Sequence, residues 1–139
     1  MGMLQTTVVE VPVFQIDWRD LLESIAHVLV ENSQKHIDTG GSGSPVVWEW
    51  YRSKKYERWK RKRYGHTKLL ILTGRMRNEI APRVDVVKKI AEAVATTDYA
   101  YIHQEGTPLV PKRPFMYFTP QEIDEIHNMI AAYIAKVFE

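Results

Sequence analysis

Two amphipathic stripes near the ends of the chain constrain its fold more than any other feature. Leu21, Leu22, Ile25, Val28 and Leu29 recur at intervals of three and four, with Ile37 further along. Ile123, Ile126, Ile130, Tyr133, Ile134 and Val137 do the same. Each stripe reads as a helix with one apolar face, the first over about 18–37 and the second opening near Thr119. Both starts are marked. Asp17 is placed to accept an unpaired amide of the first turn, and Asp20 and Glu23 suit the positive end of that helix. In Thr119-Pro120-Gln121-Glu122 the threonine caps, the proline takes the first helical position, and Glu122 can bond back to the cap amide.

The residues between the two stripes are broken by glycine and proline. TGGSGSP, Thr39 to Pro45, ends the first helix and starts a flexible loop spanning about 39–68. Lys68 to Leu72 is a short apolar run, and Gly74 lets the chain turn sharply after it. RMRNEI, 75–80, suits a helical turn. Residues 83–97 support two readings. Val86, Ile90 and Val94 at a spacing of four lean to a helix, whereas β-branched RVDVV and AVATT around Lys88-Lys89 suit a hairpin. YAYIHQEG, 99–106, is a compact segment closed by Gly106. TPLVPKRPF holds three prolines and suits an extended edge strand, with Phe115 and Phe118 as core anchors. TVVEVPVFQI, interrupted by Pro12, also suits an edge strand or an extended arm.

Charge is segregated. Nine of the seventeen residues from Arg52 to Lys68 are Lys or Arg and only Glu57 is acidic, a local charge of +8. The remaining ten basic and sixteen acidic residues leave −6 elsewhere, although the whole 139-residue chain carries only +2. Trp48, Trp50, Tyr51, Tyr56, Trp59 and Tyr64 are interleaved with the positive charge. The segment reads as an extended loop with a helical turn. It calls for an anionic partner, either a nucleic acid held by phosphate contacts and stacking or an acidic surface on an identical neighbour.

Several classes of chemistry find no support. The chain has no cysteine, and its five histidines show no close ligand spacing, so neither a metal nor another cofactor is expected. GSGS lacks the surroundings of a nucleophile elbow. Apolar runs fall far short of the roughly 20 residues of a membrane helix. The size suits one domain over residues 1–139.

From residue 40 onward the motif order resembles the phage virion morphogenesis family, the tail-completion or neck proteins of Mu-like and P2-like tailed phages. A glycine-rich turn leads to Trp48, and a basic stretch and apolar run lead into ThrGlyArgMetArg. TyrAlaTyrIleHisGlnGluGly, ValProLysArgProPhe and ThrProGlnGluIleAspGluIle follow in turn. Met76, Glu105, the basic aromatic middle and the extended start depart from the usual pattern. The resemblance implies an α+β fold: a long N-terminal helix and a C-terminal helix packed on a small antiparallel sheet, with an extended basic loop. It pulls 80–97 toward two strands.

It also implies a non-enzymatic structural protein of the virion neck or tail, present in the host cytoplasm during assembly. The protein would form a homo-oligomeric ring, six-fold or twelve-fold, with other neck, connector or tail proteins as partners and genomic DNA in its lumen. The family-motif residues Gly74, Arg75, Tyr99, His103, Gln104, Gly106, Arg113, Pro114 and Phe115 would then be structural. His103 and Gln104 would satisfy nearby loop backbone. The Arg113 fork suits a carboxylate on this chain or a neighbour. Arg52, Lys54, Lys55, Arg58, Trp59, Lys60, Arg61, Lys62 and Arg63 are the expected contacts to a neighbouring subunit or to DNA.

Overall fold

The computed structural model describes residues 17–138, so the expected strand or arm at TVVEVPVFQI lies outside the described residues. The elements in chain order are α1 (Trp18–Asp38), α2 (Lys54–Tyr64), α3 (Arg75–Asn78), β1 (Ile80–Asp85), β2 (Ile90–Ala95), α4 (Ala100–Glu105) and α5 (Pro120–Val137). The architecture is α+β, as expected. α1 is the central support. Leu21, Leu22, Ile25, Ala26, Val30 and Ile37 are buried along it, and Asp17 caps it by accepting from the Asp20 amide at 3.2 Å.

β1 and β2 form an antiparallel hairpin lying across α1, in register from Ile80 opposite Ala95 to Asp85 opposite Ile90. The helical spacing of Val86, Ile90 and Val94 therefore does not describe this stretch. Val86 falls in the turn, where Lys89 adopts φ 56° and the Lys88 amide donates to the Asp85 carboxylate at 3.0 Å. Packing of both strands on α1 overrides the local helical preference. Each strand of a two-stranded sheet is an edge, so Pro82 is tolerated opposite Ala93. Arg83 meets Glu92 directly across the pair at 2.6 Å.

Gly74 and Gly106 occupy turns that need a positive φ, 86° and 75°. At Gly106 a side chain would also strike the Lys112 backbone, since a Cβ there would lie 2.9 Å from the Lys112 nitrogen. After Gly74 the short α3 is tied back to the end of α1. Arg77 forks onto Asp38 at 2.6 and 2.7 Å, and Gln34 donates to the Arg77 carbonyl. α5 starts as expected, with a reciprocal capping box between Thr119 and Glu122 and Pro120 in the first turn. It lies against α1.

Pro111 to Phe115 is extended but joins no sheet, which corrects the expected edge strand. It crosses the core instead, and Phe115 is its most enclosed side chain at 1% exposed. Phe118 is not a second anchor. It precedes the Thr119 cap, where the chain has already left the core, and is 60% exposed. Backbone groups from 113 to 116 find partners in side chains and loops. The Arg113 amide donates to the His103 carbonyl at 2.8 Å. Trp48 Nε1 donates to the Pro114 carbonyl at 2.9 Å. Gln104 Oε1 accepts from the Phe115 and Met116 amides, and its Nε2 donates to the Met116 carbonyl. His36 contacts the Phe115 carbonyl through Nδ1 at 2.7 Å and the Glu122 carboxylate through Nε2, while its ring stacks on Tyr117.

Replacing Gln104 by Met keeps the side-chain length and removes all three bonds. Gln104→Met should lower the unfolding free energy by about 2–4 kcal/mol, because part-buried backbone groups lose their partners. Urea denaturation would show this as a lower midpoint at unchanged slope. A loss below about 1 kcal/mol would refute the bracing role.

Candidate functional site

The basic aromatic segment forms a complete helix, α2, where the sequence suggested a loop with a helical turn. Both ends are capped. Ser53 accepts from the Tyr56 amide at 3.1 Å, and Gly65 closes the helix in the left-handed conformation, bonding the Arg61 carbonyl. Trp50, Tyr51, Tyr56, Trp59 and Tyr64 form a run of rings with successive centroids 5.1–5.7 Å apart. Tyr56, Lys60 and Tyr64 at intervals of four were the available helix signal, obscured by the density of charge.

The expected contact residues divide into two groups. Arg52, Lys54, Lys55, Arg58, Arg61, Lys62 and Arg63 are exposed, and Trp59 is 48% exposed, so these form a surface. Arg52 holds Glu49 through two bonds, which keep the Glu49 carboxyl below its usual range. Glu57 accepts from Trp50 Nε1 and lies 3.7 Å from Arg61. Lys60 does not belong to this surface. It is 3% exposed and turned toward the body of the protein. Its ammonium donates to Tyr51 Oη and to the Lys68 carbonyl, both at 2.6 Å.

Lys60 opens onto a cavity of about 600 Å³ shared by α2, the 70–76 turn, Tyr99, His103 and the 109–113 segment. Arg113 lines the same space and is 7% exposed. Within this chain its partner is a carbonyl and not a carboxylate: Nε donates to the Glu49 carbonyl at 2.8 Å, and the guanidinium lies 5.8 Å from the Tyr51 ring centre. Burial, with Arg113 adding repulsion, pushes Lys60 down to about 8. Burial pushes the Tyr51 hydroxyl up to about 12. Burial also lowers His103, aided by Arg113 and Lys60. His103 Nδ1 is enclosed without a partner, while Gln104 next to it makes the backbone bonds expected of both.

The family-motif positions surround this cavity or the segment behind it. Gly74, Arg75, Tyr99, His103 and Arg113 line the cavity. Gln104, Pro114 and Phe115 build the buried crossing, and Gly106 turns the chain between the two. Sequence reasoning missed Tyr51, whose hydroxyl meets both Lys60 and the Lys68 carbonyl. Its aromatic neighbours hid it. Among the described residues no group of His, Asp or Glu is arranged to hold a metal ion, and no helix is long and apolar enough to cross a membrane.

The profile of the phage virion morphogenesis family matches residues 3–135 of this chain. Among curated proteins, the chain is similar to Mu-like prophage FluMu G protein 1 of Haemophilus influenzae. The two are 30% identical over 118 residues, covering 83% of this chain and 78% of that protein. No solved structure matches.

The buried ammonium makes stability depend on pH in a defined direction. Lys60 releases its proton near pH 8 in the folded chain and near 10.5 in the unfolded one. Between those values the unfolded chain holds the extra proton, so raising the pH favours the folded state. The urea midpoint should therefore rise from pH 8 toward pH 10, below the range in which Tyr51 opposes it. The rise should be absent in Lys60→Met. Identical pH profiles for the two proteins would refute the burial of this charge.

Proposed function

Because the chain belongs to the phage virion morphogenesis family, we propose that it is a ring-forming neck or tail-completion component of a tailed-phage virion, joining head and tail around the DNA path. The observation that carries this reading is α2. It is a capped helix of eleven residues that leaves Trp59 and Tyr56 about half exposed among arginines and lysines, with Trp50 beside them. Aromatic and arginine side chains of this kind are typical anchors of protein interfaces. The −6 charge carried by the rest of the chain offers an identical neighbour as the complementary surface. The similar protein is named for a Mu-like prophage, which agrees with a tailed-phage setting. The role is structural and non-enzymatic. Neighbouring neck, connector or tail proteins are the further partners.

A second reading keeps the same helix but turns its cations toward nucleic acid. Lys54, Lys55, Arg58, Lys62 and Arg63 are exposed and make no ion pair among the described residues. They suit phosphate contacts weakened steeply by salt. A ring around DNA accommodates both readings if the aromatic side of α2 meets a neighbour and the cationic side meets the lumen.

Light scattering of the purified chain should give a closed oligomer, and Trp50→Ala with Trp59→Ala should weaken association by about 30-fold or more, the effect of losing an interface anchor worth about 2 kcal/mol. Particles assembled without the protein should contain heads and tails that are not joined. Complete, infectious virions in its absence would overturn the proposal.

A further inference from the structure

The cavity beneath α2 has a composition that an internal structural gap does not explain. Four cations line it and no aspartate or glutamate does; Arg52 and Arg75 turn to Glu49 and Glu79 outside the cavity, which leaves Lys60 and Arg113 without a carboxylate partner among the described residues. Lys60 and Arg113 are almost fully enclosed, yet among the described residues their hydrogen bonds run only to neutral oxygens: Tyr51 Oη and the carbonyls of Lys68 and Glu49. Buried charges are ordinarily paired with an opposite charge. Donors also remain unused. Arg113 engages only Nε among its five N–H groups, Lys60 makes two of its three possible bonds, and His103 Nδ1 is enclosed without a partner.

We propose that this cavity is a carboxylate socket, and that the carboxylates are Asp124 and Glu125 on α5 of a second copy of this chain. The socket deepens the assembly reading above and its second-copy occupant rests on it. The walls decide the class of anion. Leu70, Ile71, Leu72, Leu109 and Val110 stand beside the cations, so the space accepts an acid carried on an apolar segment. A volume of about 600 Å³ accommodates one or two inserted side chains, whereas a phosphodiester chain needs an open, hydrated track. Charge complementarity selects the source. Asp124 and Glu125 are exposed near the start of α5, beside Met129 and Ala132 in a shallow groove, and neither carboxylate is paired among the described residues. They do not line the cavity of their own copy. Burial holds both Lys60 and Arg113 below their ordinary values, with Arg113 adding repulsion at Lys60 and Arg52 at Arg113, and an inserted carboxylate would raise both.

The test has two arms on the full chain. In the first, the 15N-labelled protein is titrated with acetyl-Leu-Glu-amide, acetyl-Leu-Gln-amide, inorganic phosphate and a short thymidine strand, at a concentration where it is monomeric. Saturable shifts at the cavity with the Glu dipeptide, at least ten-fold tighter than with the Gln dipeptide and weakened ten-fold in Lys60→Met, are expected. Equal binding of the two dipeptides would overturn the socket, and this comparison stands on the unmutated protein if the variant fails to fold. Tighter binding of phosphate or the thymidine strand would overturn the carboxylate assignment. In the second arm, self-association is measured for Asp124→Asn with Glu125→Gln, both at exposed positions. A dissociation constant raised at least ten-fold is expected. Undiminished association, with the Glu dipeptide still bound, would overturn the second-copy occupant. A chain that stays monomeric at every concentration would overturn that occupant and the assembly reading together, while the first arm still decides the socket.

Discussion

The rest of the structure depends on how the segment from Arg113 to Met116 satisfies its backbone. It crosses the core without a strand beside it, so no ladder pairs its amides and carbonyls. Such groups are costly when buried and unbonded. Each partner therefore arrives from a different part of the chain: Trp48 from the loop after the first glycine turn, His103 and Gln104 from α4, and His36 from α1. The contacts are reciprocal constraints. Gln104 can brace Phe115 and Met116 only if Gly106 returns the chain beside Lys112. His36 reaches both the Phe115 carbonyl and Glu122 only because α5 begins directly after the crossing. One extended segment thus ties together three helices, α1, α4 and α5, and the Trp48 loop.

The same segment sets the position of α2. Arg113 opens the crossing, and its side chain turns the other way, to the Glu49 carbonyl and the Tyr51 ring. Tyr51 in turn meets Lys60. The basic helix is therefore attached through its inner face to the family-motif residues, while its outer face keeps its cations and aromatic rings in solvent. This attachment is electrostatically unfavourable in one respect, since it encloses two positive charges near each other. Cation–π contact and carbonyl acceptors offset only part of the desolvation.

Much of this was legible in the sequence. The two long helices announced themselves through periodicity and caps, because both signals are local. Gly74 and Gly106 were legible as turns for the same reason. The hairpin was not legible from periodicity: Val86, Ile90 and Val94 imitate a helix, and only packing on α1 selects the strands. The resemblance to a family supplied that missing tertiary information. For α2 the difficulty was reversed. Its capping residues, Ser53 and Gly65, were in plain view, but a helix was inferred from apolar faces, and this helix buries a lysine between tyrosines. Pairings such as Trp48 with Pro114 or Gln104 with Met116 join residues far apart in sequence, and no local pattern encodes them.

α5 bears directly on assembly. An isolated helix of eighteen residues is marginal in water and normally gains its stability by burying an apolar face. Yet no residue of α5 is fully buried among the described residues, and Ile123 and Ile134 are each about 40% exposed. Its start is secured by the capping box and by Glu122 on His36, and its last third by Tyr133 bonding both the amide and the carbonyl of Asp17. A helix anchored at such specific points, with an apolar stripe that α1 covers only in part, keeps a face available to a neighbour. Asp124 and Glu125 on α5 are exposed and do not line the cavity beneath α2, where Lys60 and Arg113 have no carboxylate partner among the described residues. In a head-to-tail ring each interface joins two different faces of the same chain. A single subunit with its negative and positive elements separated in this way has the charge distribution that such a contact requires.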